Sequence, residues 1–443
     1  MNFELDKQTI QDLEIFGNEK SPDSIFQCYN YTKTSGGKKL LYRLMLSPLT
    51  DLKQIQTTRD SIKFMYDTDF DLTINSGQLD FIEHYLNLNI SALRNNFLNA
   101  LFQSISNTLR PSNDYYVIQS GINQLIFLFR HLEETLQPTE EMTLPEEIDC
   151  LTRKIRVLFK QHGFRELISA KKGFSFVKLN WFDHLIRKKY KKEVAEIVRL
   201  VYCFDAYISV AKAARANKFS FPEYLPDSKP QTEITGLFHP LLGNAVPYNI
   251  DFSETKNLCF LTGPNMAGKS TFLKSVGLTL YLAHLGFPVP ARKMRTTIYN
   301  GIISTINLSD NMNKGYSHFY SEVKRVKETA LKIQEKGNLF IIFDELFRGT
   351  NVKDAFDASQ MIIKSFAKIS NSTFFISTHI TEIAEEIKNI SNIQFLYFDS
   401  ELINDQPVYT YKLSSGVSHE RLGMQIIKNE KIIDILNSIS GIY

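Results

Sequence analysis

The sequence predicts an α + α/β fold, in which an all-helical N-terminal domain precedes a domain with a covered, mostly parallel sheet. Residues 1–225 contain few glycines and place Leu, Ile and Phe at helical spacing, which indicates packed helices. The polar, proline-bearing stretch PDSKPQTE, residues 226–233, marks a domain boundary. After it, short runs of β-branched and aromatic residues alternate with amphipathic stretches, as in βαβ units. We therefore expect two domains, 1–225 and 226–443.

The composition is that of an ordinary soluble protein. A chain of 443 residues with 43% hydrophobic residues can bury more than one core, and a net charge of +3 demands neither a nucleic-acid nor a membrane partner. The acidic, amphipathic start MNFELDKQTIQDLEIF differs from a secretion signal, and no apolar run reaches the roughly 18 residues of a membrane span. Four scattered cysteines without metal-ligand spacing, Cys28, Cys150, Cys203 and Cys259, favour reduced thiols and a cytoplasmic location.

The helical pattern of the first half is clear in LKQIQTTRDSIKFM. Leu52, Ile55, Ile62 and Met65 fall on one face, directly after the candidate N-cap Asp51. We expect this face to be part of the core.

One motif in the second half carries specific chemistry. The segment GPNMAGKS fits G-x-x-x-x-G-K-[ST] and lies between an apolar strand and a helix, as a phosphate-binding P-loop must. Glycine lets backbone N–H groups point at phosphate oxygens, and the helix N-terminus adds its positive dipole end. Lys269 is expected to reach the β- and γ-phosphates of ATP, and Ser270 to bind Mg²⁺. The expected nucleotide-binding residues are Gly263, Pro264, Asn265, Met266, Ala267, Gly268, Lys269, Ser270 and Thr271.

A nucleotide site also needs a carboxylate for the metal. FIIFDE ends an apolar strand with Asp344 and Glu345, and we expect Asp344 to bind Mg²⁺ and Glu345 to polarise the attacking water. The next apolar run, STFFISTH, ends in His379. This histidine is either a sensor of the γ-phosphate or a structural residue.

These motifs resemble those of the MutS family of DNA mismatch-repair ATPases. TGPNMAGKST is similar to that family's TGPNMGGKST, FDELFRGTN to LDELGRGTS, and STHITEIAEE to ATHYxEL. FHPLL matches the HP element that precedes the ATPase strand, and TYKLSSG is similar to YKLxxG. The resemblance implies a P-loop ABC-type ATPase domain over 226–443 that binds ATP and Mg²⁺. It also implies that Tyr411 stacks on adenine.

The resemblance extends to the helical half. The segments around SGGKKLLYRLMLSPL and FDAYISVAKAARANKFSFP are similar to the start and the end of the family's core, or lever, domain. The resemblance implies a lever over 1–225 with a shortened or absent clamp, and without the mismatch-recognition and connector domains. The run Phe81-Ile82-Glu83 spells F-x-E like the family's mismatch wedge, but its helical context favours a chance match.

A further resemblance concerns dimerisation. GYSHFYSEVKRV is similar to the family's GxSTFxxEM, which implies that Ser317 reaches across a homodimer to the partner's γ-phosphate, with His318 where the family has threonine. ATP-dependent closure of the ATPase domains would then move the levers, and DNA is the molecule on which the family usually acts. The candidate DNA contact is RKKYKKE, which either binds phosphates or forms a solvated helix face. Its basic residues are Arg187, Lys188, Lys189, Lys191 and Lys192.

Three functions therefore compete. The first is a homodimeric ATPase that binds DNA structures such as junctions, loops or duplex in repair or recombination. The second is a nucleotide-switched protein-interaction module without DNA binding. The third, an ABC-type ATPase that serves a separate transporter, is disfavoured because GYSHF differs from the LSGGQ-type signature. DNA-stimulated hydrolysis with steep salt dependence distinguishes the first from the second.

Overall fold

The structure is a computed structural model, and its chain forms two compact units. One unit consists of Met1–Cys28, Ser47–Ile55 and Asn217–Tyr443, and the other of Tyr29–Leu46 and Gln56–Ala216. This division differs from the expected single cut after residue 225, because the first residues belong with the last. The structure describes residues 2–17, 23–89, 92–93, 113–170, 175–226, 229–306, 318–403, 406–418, 429, 431–433 and 435–436.

Helices and short strands alternate along the second half of the chain, whereas the first half is mainly helical. The helices are α1 (Lys7–Asp12), α2 (Ile25–Tyr29), α3 (Ser35–Met45), α4 (Leu52–Thr68), α5 (Ser76–Leu86), α6 (Asn113–Leu136), α7 (Glu146–Phe159), α8 (His162–Ser169), α9 (Phe176–His184), α10 (Lys191–Asn217), α11 (Lys269–Ala283), α12 (His318–Lys336), α13 (Val352–Ala367) and α14 (Ile383–Ile387). The strands are β1 (Glu4–Leu5), β2 (Glu223–Tyr224), β3 (Gln231–Leu237), β4 (Tyr248–Ser253), β5 (Leu258–Thr262), β6 (Lys293–Thr296), β7 (Gly301–Thr305), β8 (Leu339–Asp344), β9 (Thr373–Ser377), β10 (Ile393–Ile403) and β11 (Gln406–Ser415). Across the described ranges, no helix combines the length and apolar character of a membrane span.

The helix α4 forms where the sequence predicts it. The Asp51 side chain accepts a hydrogen bond from the Gln54 N–H at 2.8 Å and so caps one of the free donors of the first turn. Ile55, Ile62 and Met65 are buried. The predicted cap and three of the four predicted core positions are thus confirmed, whereas Leu52 is only partly buried.

A buried carboxylate organises the start of α3 in the unit formed by Tyr29–Leu46 and Gln56–Ala216, which we call the helical unit. Asp205, on α10, accepts hydrogen bonds from the backbone N–H groups of Lys33 and Thr34, both at 2.9 Å, and from the Thr34 hydroxyl at 2.6 Å. Thr34 in turn accepts from the Gly37 N–H. Since a buried carboxylate needs such donors, Asp205 links the two helices through the backbone.

The unit formed by Met1–Cys28, Ser47–Ile55 and Asn217–Tyr443 contains a seven-stranded sheet. Its strand order is β1-β7-β8-β9-β5-β10-β11. Its neighbours pair in parallel except β10 and β11, which are antiparallel. All residues of β5, β8 and β9 are buried, as expected for a parallel sheet covered on both faces. The predicted mixed fold with a covered, mostly parallel sheet is confirmed. A smaller sheet has the order β2-β6-β3-β4.

Two short strands contradict the expectation that residues 1–225 are all helical. β1 pairs in parallel with β7, with Glu4 opposite Gly301, and β2 pairs in parallel with β6, with Glu223 opposite Arg295. Gly301 permits the first pairing, because a Cβ at this position would lie 2.3 Å from the Glu4 Cβ. Each strand has two residues and is stabilised by distant partners, so local periodicity gives no signal for it.

Acidic residues of the first segment attach it to α12. Glu4 lies 2.6 Å from the Lys336 ammonium, and Asp6 lies 2.5 Å from Nη1 of Arg325. The Arg325 guanidinium also donates to the Ser304 carbonyl at 2.7 Å. The N-terminal segment is thus held on the sheet by both backbone pairing and ion pairs.

Candidate functional site

A cavity of about 790 Å³ lies beyond the carboxyl ends of β5 and β8. Such ends are the usual ligand sites of open parallel sheets. Residues from three segments, 242–248, 264–271 and 344–348, line the cavity together with Tyr411. The sequence placed the second segment and the first two residues of the third at a nucleotide site, and the structure brings these together.

The loop between β5 and α11 has a backbone that requires glycine. Gly263 has φ +140° and Gly268 has φ +105°, values that other residues rarely adopt. A Cβ on Gly263 would also lie 3.1 Å from the carbonyl oxygen of Phe398. Met266 has φ +68° and is strongly exposed. α11 begins at Lys269, so its free N–H groups and positive dipole end face the loop.

Lys269 is buried, and its side chain folds back onto the loop. Its ammonium donates to the carbonyl oxygen of Gly263 at 2.7 Å and to that of Pro264 at 3.0 Å. Burial lowers the pKa of Lys269, while the charges of Glu345 and Asp344 oppose this shift. The loop therefore carries a fixed cation beside the helix N-terminus, which suits a phosphate group.

The carboxylate of Asp344 is bound by two hydroxyl groups. Ser270 Oγ lies 2.5 Å from Asp344 Oδ2, and Ser377 Oγ donates to Oδ1. Asp344 is buried and lies opposite Ser377 in the pairing of β8 with β9. Sequence reasoning missed Ser377, although its place at the end of the strand next to β8 was a usable signal.

The oxygen atoms of Ser270 and Asp344 suit Mg²⁺. This hard cation binds one or two protein oxygen ligands and completes its coordination with waters and phosphate oxygens. Among the described residues, no group of three or more His, Cys, Asp or Glu side chains could form a denser metal site. The donor set therefore fits a magnesium ion that is held jointly with a nucleotide.

Glu345 lies at a strained turn beside two cationic or basic groups. Its φ is +61°, and its carboxylate Oε2 is 2.8 Å from Arg348 Nε and 3.6 Å from His379 Nδ1. The pKa of Glu345 lies below its usual value because of His379 first, and then because of Arg348 and Lys269, while burial opposes the shift. Glu345 is thus an ionised carboxylate at neutral pH that can accept a proton from water.

Tyr411 lines the cavity, whereas His379 does not. His379 contacts Glu345 but is not among the residues that line the cavity, and its side chain is 58% exposed. Tyr411 lines the cavity, with its Cδ1 3.4 Å from the position of a Cβ on Gly268. Tyr248, which sequence reasoning missed, lines it as well, and burial raises its pKa to about 12. The preceding HP element was the available signal for Tyr248.

Ser317 lies outside the described residues, and α12 begins directly after it at His318. The structure therefore gives no geometry for the predicted contact of Ser317 with a partner's phosphate. The Phe81-Ile82-Glu83 run lies within α5, which agrees with its interpretation as a chance match.

The prediction that Arg187 contacts DNA is wrong. Its side chain is only 4% exposed, and its Nε and Nη2 atoms donate to the two carboxylate oxygens of Asp183 at 2.6 and 2.7 Å. Asp183 also accepts from the Tyr85 hydroxyl at 2.8 Å. Arg187 therefore belongs to a buried network of the helical unit. The remaining basic residues of the run are exposed: Lys188, Lys189, Lys191 and Lys192.

Family comparison identifies two regions of the chain. A family model described as MutS domain III matches residues 8–217, and one described as MutS domain V matches residues 259–438. The second match contains the loop, Asp344, Glu345, His379 and Tyr411. The two matches together cover most of the chain.

Curated relatives with the name "DNA mismatch repair protein MutS" also match the chain. The protein of Anaplasma phagocytophilum (strain HZ) is 29% identical over 225 residues, which cover 50% of this chain and 27% of that protein. The protein of Ehrlichia ruminantium (strain Gardel) is 25% identical over 354 residues, 79% of this chain and 42% of that protein. The protein of Petrotoga mobilis (strain DSM 10674 / SJ95) is 27% identical over 252 residues, 54% and 30% respectively. The chain thus spans less than half the length of these relatives.

Proposed function

The chain belongs to the MutS family, and from this we propose that it binds and hydrolyses ATP with Mg²⁺ and acts as an ATP-switched homodimer on DNA in a repair-related role. One observation carries the proposal. Ser270 Oγ and Asp344 Oδ2 are 2.5 Å apart, in a cavity that Lys269 and Glu345 also line. A metal ligand pair, a phosphate-binding cation and a water-activating carboxylate at one strand edge suit hydrolysis of a nucleoside triphosphate.

The loop 263–271 would bind the triphosphate. Its backbone N–H groups and the N-terminus of α11 offer donors, and Lys269 would exchange its carbonyl partners for β- and γ-phosphate oxygens. Ser270 and Asp344 would hold Mg²⁺, which neutralises charge on the phosphates when bound. Tyr411 and Tyr248 are two aromatic residues available to the adenine base, since both line the cavity near Gly268.

Glu345 would act on the attacking water. Its carboxylate is ionised at neutral pH, so it can orient a water molecule and accept its proton as the oxygen attacks the γ-phosphorus. The bond to the β-phosphate oxygen then breaks, and ADP and phosphate are released. We assign His379 the role of supporting Glu345 or sensing the γ-phosphate, because its Nδ1 is 3.6 Å from the carboxylate.

The switch would operate between two copies of the chain. We assign the family's ABC-type ATPase role to residues 226–443, with Ser317 acting on the partner's nucleotide, and its core or lever role to the helical residues before them. Differential affinity of the open and closed dimers for ATP would supply the energy that moves the levers. The exposed Lys188, Lys189, Lys191 and Lys192 are the proposed contacts to DNA phosphates.

A titration of ATPase activity and DNA binding tests the proposal. Homoduplex, mismatched, branched and single-stranded DNA are compared at two salt concentrations, with Lys269→Ala as the inactive control. We expect hydrolysis that depends on Mg²⁺ and is stimulated by DNA. The affinity of the protein for DNA should fall steeply with increasing salt concentration. Absence of nucleotide binding would overturn the ATPase assignment. Hydrolysis that is identical with all DNA forms, without DNA binding, would instead support a protein-interaction module.

A further inference from the structure

Arg348 lies three residues after Glu345 and binds it directly. Its Nε atom is 2.8 Å from Glu345 Oε2, and its Nη2 atom donates to the Asp344 carbonyl at 3.1 Å. The Glu345 side chain is 17% exposed and that of Arg348 48%. One planar guanidinium thus contacts both the carboxylate and the backbone carbonyl that precedes it, through donors in a rigid, fixed arrangement that the flexible ammonium of lysine lacks.

The same residue connects the turn to α12. The Arg348 N–H donates to Glu322 Oε1 at 3.2 Å, and the neighbouring Phe347 ring lies 5.6 Å from that of Phe319. Both Glu345 and Phe347 have left-handed backbones, with φ of +61° and +62°. Such strain persists only where surrounding contacts hold it, so the contacts of Arg348 are part of what fixes the direction of the Glu345 side chain.

We propose that Arg348 is a positioning residue for Glu345 in the hydrolytic step. The proposal rests on the proposed ATPase function and deepens it. Arg348 also lines the cavity, so a direct role on phosphate is the competing assignment. The structure favours positioning, because Nε and Nη2 of Arg348 already contact Glu345 and the Asp344 carbonyl.

Steady-state kinetics separate the two roles. Arg348→Ala is expected to lower kcat about 10- to 100-fold, because a misplaced reacting group costs this much, while KM for ATP changes about twofold or less. Arg348→Lys should recover part of the loss, since it keeps the charge but not the fork. Lys353→Ala, which removes an exposed cation five residues on, is the matched control and should retain wild-type kcat. An increase in KM with unchanged kcat would overturn the proposal in favour of phosphate binding.

A double-mutant cycle tests whether Arg348 acts through Glu345. In the Glu345→Ala background, Arg348→Ala should lower kcat no further, and independent additive losses would contradict the proposal. The affinity of the fluorescent analogue mant-ATP with Mg²⁺ should differ about twofold or less between wild type and Arg348→Ala, whereas a loss of binding would overturn it.

Chemical denaturation provides a readout that needs no activity. The free energies of unfolding of wild type, the two single variants and the double variant should show a non-zero coupling between Arg348 and Glu345. Zero coupling would overturn the positioning role. If the wild type fails to hydrolyse ATP but the coupling is present, the proposed function fails while the structural link between the two residues stands.

Discussion

Ser270 Oγ lies 2.5 Å from Asp344 Oδ2, although the two residues are 74 positions apart in the chain. The other oxygen of the same carboxylate accepts a hydrogen bond from Ser377, which lies opposite Asp344 on the neighbouring strand. Both oxygens of Asp344 are thus oriented by hydroxyl groups. A metal ion that binds Ser270 and Asp344 would therefore find the carboxylate already directed toward the loop.

The Ser377 hydroxyl should support the metal affinity of the site. Replacement of groups that orient a metal ligand typically costs about 10- to 100-fold in affinity, so Ser377→Ala should raise the Mg²⁺ concentration for half-maximal mant-ATP binding about tenfold or more. Fluorescence titration with Mg²⁺ measures this. Ser365→Ala, on the exposed face of α13, is the control. An unchanged midpoint for Ser377→Ala would show that Ser377 has no such role.

Mixing two inactive variants tests the shared site. Lys269→Ala and Ser317→Ala should each lose ATPase activity, and a mixture should regain part of it, because a heterodimer contains one site with both residues intact. The measurement is phosphate release, with heterodimers verified by differently tagged copies. If such heterodimers form but remain inactive, Ser317 does not act on the partner's nucleotide.

The ion pair of Arg187 should contribute to stability and not to DNA binding. Arg187→Ala leaves the buried Asp183 charge without its main partner, which typically costs about 3 to 5 kcal/mol. The denaturant midpoint should fall accordingly. Lys188→Ala, one residue on and exposed, should leave the midpoint unchanged. Similar midpoints for the two variants would contradict the structural assignment of Arg187.

The exposed lysines of the same run should show the opposite behaviour. Replacement of Lys188, Lys189, Lys191 and Lys192 by Ala should weaken DNA binding uniformly across sequences. The slope of log affinity against log salt should fall by about one for each DNA phosphate that the variant no longer neutralises. Fluorescence anisotropy at several salt concentrations gives the slope, and the denaturant midpoint confirms folding. A slope equal to that of wild type would remove this run from the DNA interface.

His284 should make the stability dependent on pH. Its Nδ1 binds the Leu49 carbonyl at 2.8 Å, its Nε2 accepts from the Tyr299 N–H at 3.2 Å, and burial lowers its pKa to about 4. Between the ordinary pKa of about 6.5 and this value, the unfolded chain binds a proton that the folded chain excludes. The free energy of unfolding should therefore fall as the pH drops, by about 3 kcal/mol in total from this residue.

Denaturation of wild type and His284→Gln across this pH range isolates the contribution. The variant should be less stable at pH 7, because glutamine makes different contacts from the imidazole of His284. Its free energy of unfolding should fall less than that of wild type between pH 6.5 and 4. Parallel curves for the two proteins would show that His284 is not the titrating group.

Local motifs allowed the sequence to predict the centre of the candidate site. The loop 263–270 and the pair Asp344-Glu345 each combine a characteristic residue pattern with an apolar strand directly before it, so a short window contains the whole signal. Ser377 and Tyr248 were not predicted, because each reaches the site from a segment distant from both motifs. Arg348 was not predicted either, although it lies only three residues after Glu345, because its role depends on the side-chain contact and not on a residue pattern.

Errors in the sequence prediction have similar causes. β1 is too short for periodicity, and only the pairing of Glu4 with Gly301 reveals it as a strand. The basic run around Arg187 was read as one charged surface, yet Asp183 precedes Arg187 by one helical turn and binds it in the interior. The i,i+4 spacing of this pair was visible in the sequence, but whether it is buried depends on the packing of other helices.

The pairing of β1 with β7 has a consequence for self-association. An outer strand with free backbone donors and acceptors can recruit a second molecule, and natural proteins counter this with very short edge strands that carry charges. Here the outermost strand on one side is two residues long and carries the Glu4 carboxylate, with Asp6 directly after it. Only glycine at position 301 leaves room for β1 beside β7. Gly301→Ala should therefore displace β1, expose the backbone of β7 at the sheet edge and promote self-association through it.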